Sequence, residues 1–220
     1  MNTDRTNYIP ALRYEWLTGF YDTVMDKLMR ETTFKQALVR QARVKKGHRV
    51  LDLGCGTATL TLLIKMAHAD AEVTGLDGDP KALGIARDKV AKSGLNITFD
   101  EGMAFNLPYT DNSFDRVFSG LLFHHLTRED KERTLKEVYR VLRPGGELHV
   151  ADWGKPANAF MRAAFYLVQL LDGFKTTTDN VNGLLPEFFS KAGLQCVQET
   201  ARYSTMFGTM ALYQARKPVD

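Results

Sequence analysis

The stretch Val50-Leu51-Asp52-Leu53-Gly54-Cys55-Gly56-Thr57-Ala58-Thr59-Leu60-Thr61-Leu62 decides the fold. It runs as an apolar strand, takes on an acid at Asp52, breaks at two glycines one residue apart and resumes with residues that suit a helix. That order reads as strand, tight turn and helix. Gly54 and Gly56 supply unusual backbone angles and omit the Cβ atoms that would keep a ligand from the backbone N–H groups.

Working outward, the same alternation repeats. Glu72–Asp77 reads as a second strand ending in an acid, followed by a helix from Pro80 to about Ser93 that Gly94 stops. Residues 96–101 and 114–119 read as a third and fourth strand. Thr127, with Asp130 three residues on, opens a capped helix whose Leu135, Val138 and Leu142 share one face; Pro144-Gly145-Gly146 stops it and residues 147–151 form a fifth strand. Strands alternating with helices imply right-handed crossovers and an α/β, doubly wound, mainly parallel sheet, with ligands beyond the carboxyl ends of the strands. Asp52, Asp77, Met103 and Ser119 all fall at or just past such ends, which argues for one site.

The flanks differ. Upstream, Leu12, Trp16, Leu17, Phe20, Tyr21, Val24, Leu28, Phe34 and Leu38 recur at mixed helical spacing and suggest two or three short helices. Tyr14, Trp16, Phe20 and Tyr21 form an aromatic group that packs on the domain or closes over a site. Downstream, residues 160–171 are apolar around almost the whole helix, with Arg162, Tyr166 and Gln169 as a polar stripe. Burial or a subunit contact explains this, and contact with a lipid-like substrate or membrane surface is the sharper alternative. Residues 172–182 read as a mobile loop, 183–192 as helix, and 194–203 with 206–216 as two closing antiparallel strands. The expected layout is one domain: a helical cap (1–45), a cofactor-binding core (46–155), a helical lid (156–192) and closing strands (193–220).

The 220 residues suffice for one α/β domain with a core. The 29 basic and 26 acidic residues leave +3. The cluster Arg40, Arg43, Lys45, Lys46, His48 and Arg49 reads as a solvated helix end, so nucleic acid is not an expected partner. Two cysteines, Cys55 and Cys196, are too few for a disulfide framework and suggest a reducing, cytoplasmic setting. The chain opens polar, no run reaches the ~18 apolar residues of a membrane span, and no metal-ligand spacing appears. A monomer or homodimer is expected.

Three ligand classes use a glycine turn after a first strand. A P-loop needs a lysine that Thr57-Ala58-Thr59 lacks, and a dinucleotide turn needs glycine at 59. Asp52 would oppose a pyrophosphate but attract an ammonium. Asp77, one strand later, suits ribose hydroxyls of either NAD or an adenosyl compound. Together these favour S-adenosylmethionine, with S-adenosylhomocysteine as product. An NAD-dependent oxidoreductase and a non-catalytic S-adenosylmethionine binder are the alternatives.

The glycine stretch, Val73-Thr74-Gly75-Leu76-Asp77, Asn106-Leu107-Pro108-Tyr109, Asn112-Ser113-Phe114-Asp115, His124-His125-Leu126 and Glu137-Val138-Tyr139-Arg140-Val141-Leu142-Arg143-Pro144-Gly145-Gly146 together resemble the class I S-adenosylmethionine-dependent methyltransferases, over roughly residues 45–155. Within them the chain looks most like the small-molecule branch that includes the ubiquinone and menaquinone biosynthesis enzymes. The resemblance implies a Rossmann-like seven-stranded sheet with an antiparallel last strand. It places Gly54, Cys55 and Gly56 against the methionine part of the cofactor, Asp77 on the ribose, Gly78 beside adenine, and Ser119 and Gly120 near the methionine end. Ala58 stands where the family usually has a third glycine, a mild change at a helix start. Met103 replaces a frequent Asp, leaving its side chain to pack on the purine and the Ala104 N–H as the polar contact.

The acceptor is then a small molecule, apolar or aromatic in keeping with the flanks and so quinone-like or lipid-like, methylated by in-line displacement. If it must lose a proton, a histidine near neutral pKa is the natural base. His125 is favoured over His124, with Tyr14 and Tyr21 as further contacts whose rings suit a sulfonium. Ser119-Gly120-Leu121-Leu122, in place of Asn/Asp-Pro-Pro-Tyr, argues against methylation of nucleic-acid bases.

Overall fold

The computed structural model describes residues 31–219; Tyr14, Trp16, Phe20 and Tyr21 lie outside the described residues. In chain order the elements are α1 (Glu31–Gln41), β1 (Arg49–Leu53), α2 (Thr59–Ala67), β2 (Glu72–Asp77), α3 (Pro80–Ser93), β3 (Thr98–Glu101) and β4 (Phe114–Gly120). A single 3-10 turn, Phe123–His125, precedes α4 (Arg128–Val141) and β5 (Leu142–Trp153). Then come α5 (Ala159–Asp172), α6 (Phe174–Val181), α7 (Leu185–Lys191), β6 (Gln195–Ser204) and β7 (Thr209–Arg216).

The seven strands form one sheet in the order β3-β2-β1-β4-β5-β7-β6. β7 runs antiparallel to both its neighbours and the other six are parallel, as the resemblance implies. Strand order reverses between β1 and β4, and that switch point opens the crevice for a ligand. Alternate strand residues feed two cores, because successive side chains leave opposite faces. Leu51, Val117 and Leu148 pack with Leu135 and Val138 of α4 and Phe188 and Phe189 of α7. Val50, Phe118 and Ala151 pack with Phe34 and Leu38 of α1, Ile64 of α2 and Phe165 of α5.

Local signals explain the helix ends. Asp79 accepts from Lys81 N–H with Pro80 at the first turn, Gly94 closes α3 in the left-handed region, and Thr127 caps α4 through Asp130 N–H.

Three expectations need correction. α4 ends at Val141, before Pro144, because Leu142 already turns extended, and the Pro-Gly-Gly run lies inside an irregular start of β5. Residues 172–182 hold helix α6, with Thr176, Thr177, Asp179, Asn180 and Val181 buried. Its residues have weak helix propensity, and tertiary contacts with α4 and β5 override it. The stripe on α5 is also turned: Gln169 is 1% exposed, while Phe160, Leu167, Leu170 and Leu171 are exposed. Phe165 and Gln169 form its inner line, and Gln169 is satisfied there by Arg162 and Thr177.

Candidate active site

The turn after β1 is built from three left-handed residues in alternation: Gly54 (φ 71°), Gly56 (φ 52°) and Ala58 (φ 66°). Gly54 and Cys55 N–H both donate to Leu76 O, which ties the turn to β2. The two glycines are needed for different reasons. A Cβ at Gly54 would lie 2.9 Å from Leu122, whereas one at Gly56 would meet nothing within 4 Å and would project into the cavity that Gly56 lines. Ala58 is not the mild change expected at a helix start. As the residue before α2 it holds a left-handed conformation with its methyl fully buried, a strain of ~1–2 kcal/mol that glycine would not carry.

At the end of β2, Asp77 accepts from Gly56 N–H at 2.8 Å and from Asp79 N–H at 2.9 Å. Burial raises its pKa, opposed by those two N–H groups. A cavity of about 1580 Å³ opens here. Gly54, Cys55, Gly56, Asp77, Gly78, Met103, Ala104 and Gly120 all line it, so most of the sequence-predicted cofactor residues meet in one place. Asp52 and Ser119 do not line it. Both are buried, and Thr61 donates to Asp52 Oδ2 at 2.6 Å. Asp52 Oδ1 and Ser119 Oγ have no hydrogen-bond partner among the described residues, so the turn retains buried polar capacity on its inner side. Burial raises Asp52 to about 6, against the lowering effect of Thr61 and of Lys35.

The opposite wall comes from the ends of β4 and β5. Leu121, left-handed at φ 62°, donates its N–H to Ala151 O and starts the turn that carries both histidines into the cavity. Their ring centroids lie 3.9 Å apart, with the ring planes tilted by 42°. His124 Nδ1 lies 2.8 Å from Oδ1 of Asp152, a fully buried carboxylate on β5. That oxygen also accepts from Trp153 N–H (2.7 Å) and Asn180 Nδ2 (3.0 Å), and Oδ2 accepts from Phe123 N–H (2.8 Å). An acceptor so surrounded takes the proton of Nδ1, which leaves the lone pair on Nε2. Among the described residues no carboxylate is hydrogen-bonded to His125. Burial, with His124 alongside, lowers it to about 3, and it stays neutral at physiological pH.

A family profile described as a methyltransferase domain matches residues 50–146. Over 199 residues the chain is 32% identical to the demethylmenaquinone methyltransferase of Thermus thermophilus, covering 84% of this chain and 90% of that protein. The chain belongs to the S-adenosylmethionine-dependent methyltransferases. The demethylmenaquinone methyltransferase of Symbiobacterium thermophilum is 33% identical over 205 residues, covering 81% of this chain and 80% of that one. Among solved structures, the YcgJ protein of Bacillus subtilis superposes with a TM-score of 0.70 at 18% identity, covering 84% of this chain and 99% of that one. The S-adenosylmethionine-dependent methyltransferase SibL gives 0.72 at 22% identity, covering 91% and 60%. Neither the oxidoreductase nor the non-catalytic alternative finds support in these relatives.

The residues present fit the methyl donor of this family. Space beside Gly56 and the half-buried carboxylate at the end of β2 suit close approach of the donor and its ribose diol, and Asp52 sets a buried acidic group behind the turn, one oxygen of which has no partner among the described residues. Sequence reading of the methyltransferase missed Asp152, Lys131 and Asn180. Asp152 had a usable signal, an acid at a strand end like Asp52 and Asp77. Lys131 and Asn180 had none, because a lysine in an amphipathic helix and an asparagine in a polar tract ordinarily face water.

Proposed function

We propose that this methyltransferase alkylates a small, apolar, quinol-type acceptor, with His124 rather than His125 as the base. The observation that carries the reading is the His124–Asp152 pair, set in the same cavity as the glycine turn. Bound S-adenosylmethionine supplies a methyl group on a sulfonium, already electrophilic. The chain's work is to orient the acceptor, exclude water and remove one proton.

In this reading Asp77 accepts from the ribose hydroxyls. Gly78, Met103 and Ala104 frame the adenine, and Gly54, Cys55, Gly56 and Gly120 hold the methionine end, with Asp52 and Ser119 behind them. His124 Nε2 takes the proton of an acceptor hydroxyl and Asp152 stabilises the imidazolium, which leaves the ring carbon nucleophilic toward the methyl group that the bound donor would supply, with S-adenosylhomocysteine as the leaving group. The proton on that carbon would then leave to solvent as the ring recovers its aromaticity, and the product's phenolate oxygen would take back the proton that His124 holds. An oxidised quinone is electron-poor, so the acceptor must be in its reduced form. Relatives named demethylmenaquinone methyltransferases support this acceptor class. So do Leu122, Leu126, Trp153, Leu167, Leu171 and Phe207 in the cavity wall. The exposed apolar residues Leu167, Leu170 and Leu171 give an acceptor's apolar tail a path out over α5, toward a lipid surface. Among the described residues no helix is long and apolar enough to cross a membrane. The two free thiols, Cys55 and Cys196, agree with a cytoplasmic setting.

The test is transfer of labelled methyl from S-adenosylmethionine to a short-chain demethylmenaquinone kept reduced. Label should appear on the ring carbon of the quinol and not with the oxidised quinone. Label appearing only on amines or sugars in a mixed acceptor panel would overturn the acceptor class.

A further inference from the structure

Asp152 receives four hydrogen bonds, two from backbone N–H groups and two from side chains, His124 and Asn180. Asn180 is fully buried, and while its Nδ2 reaches Asp152, its Oδ1 has no partner among the described residues. A buried amide with one end unsatisfied is a poor stabilising device, since an apolar side chain of the same size avoids the desolvation cost. Its presence is explained by what the Nδ2 end does.

The helix that carries it is seated by charge. Lys131, fully buried on α4, donates to Thr176 O at 2.5 Å and lies 3.6 Å from Asp179 Oδ2. Arg128 pairs with the same carboxylate from the solvent side. Gly173 O accepts from Thr177 Oγ1, and Gln169 Nε2 donates to that hydroxyl, which joins α6 to α5. α6 packs on the histidine turn and on β5, so its seat sets where Asn180 meets Asp152.

We propose that Asn180 is a positioning residue for the proton-transfer step: its N–H, delivered by α6, fixes the Asp152 carboxylate and through it the direction of His124 Nε2. This rests on the reading of His124 as the base. The charged and titratable groups around the pair are His125 on the same turn, Lys131 and Arg128 on α4, Asp179 on α6 and Tyr213 on β7; none of them changes in the test below.

The variant to make is Asn180→Leu, with Asn180→Ser as the alternative should leucine not be accommodated, each checked for a cooperative thermal transition. With the reduced demethylmenaquinone as probe, kcat should fall roughly tenfold, a part of the ~10²–10⁴ a general base contributes, with the S-adenosylmethionine Kd unchanged. With one donor removed from Asp152, the carboxylate favours the imidazolium more strongly, so the acid limb of kcat/KM moves to higher pH. In a His124→Ala background the Asn180 substitution should cost nothing further. Wild-type kcat and pH profile in a folded Asn180 variant, with the kcat of His124→Ala lowered as expected, would overturn the role of Asn180 alone. A loss that persists in the His124→Ala background would show a structural role instead. Full activity of His124→Ala itself would overturn the base assignment, and the proposal with it.

Discussion

The two halves of the site are built on different principles. The half made by β1, β2 and β3 is mostly backbone: left-handed glycines, a strand-end carboxylate satisfied by two N–H groups, and an open space where a side chain is missing. The half made by β4, β5 and α6 is mostly side chain: His124, Asp152, Asn180, Lys131 and Asp179, linked in a buried polar seam. A backbone cradle suits a methyl donor common to the family. A side-chain seam can be altered residue by residue, which would suit the half proposed to meet the acceptor.

The comparison breaks most sharply at His124. His124→Ala should lower kcat by about 10²-fold or more while sparing cofactor affinity, and the corresponding His125→Ala change should cost less; the reverse order in steady-state kinetics would return the base to His125. Next in size is Asp179→Ala, which strips the buried Lys131 ammonium of its carboxylate and should cost about 3 kcal/mol in denaturant unfolding, with early amide exchange in α6. An unchanged midpoint would mean that packing, not charge, seats this helix. On the donor side Asp77→Ala should raise the S-adenosylmethionine Kd at least tenfold, about 1.4 kcal/mol, measured by calorimetry.

Two smaller effects sharpen the same contrast. Asp52 is raised by burial to about 6, so its anionic form is lost as pH falls through that value. Affinity for the cationic cofactor should therefore weaken below pH 6, and Asp52→Asn should flatten the dependence. Ala58→Gly relieves a left-handed alanine but adds freedom to the unfolded chain, for a net gain of roughly 0.5–1 kcal/mol and a small rise in Tm. A loss of stability there would mean that the buried methyl's packing outweighs its strain.

How far each half could be read from sequence follows from its construction. A glycine turn announces itself because few residues tolerate the angles it needs, and Asp77 announces itself by standing at a strand end one crossover later. The parallel sheet was legible in the alternation of strands and helices, and the antiparallel β7 in the short turn that joins it to β6. α6 was illegible: Thr176-Thr177-Thr178-Asp179-Asn180 has the composition of a loop, and only Lys131, Asp152 and Gln169, distant in sequence, make it a helix. Gln169 on α5 misled in the same way, since a polar residue reads as solvent-facing until a partner is found for it.

The sequence by itself determined the architecture, the family and the glycine turn with its strand-end carboxylate, because those rest on local backbone preferences and on periodicity, which neighbouring residues express. Only the tertiary structure decided which histidine faces a carboxylate, that Ala58 sits strained, and that a polar tract folds into a buried helix beside that histidine's carboxylate. Those depend on contacts between residues far apart in the chain, where burial makes an unpaired polar group too costly to leave and so selects partners that no local pattern records.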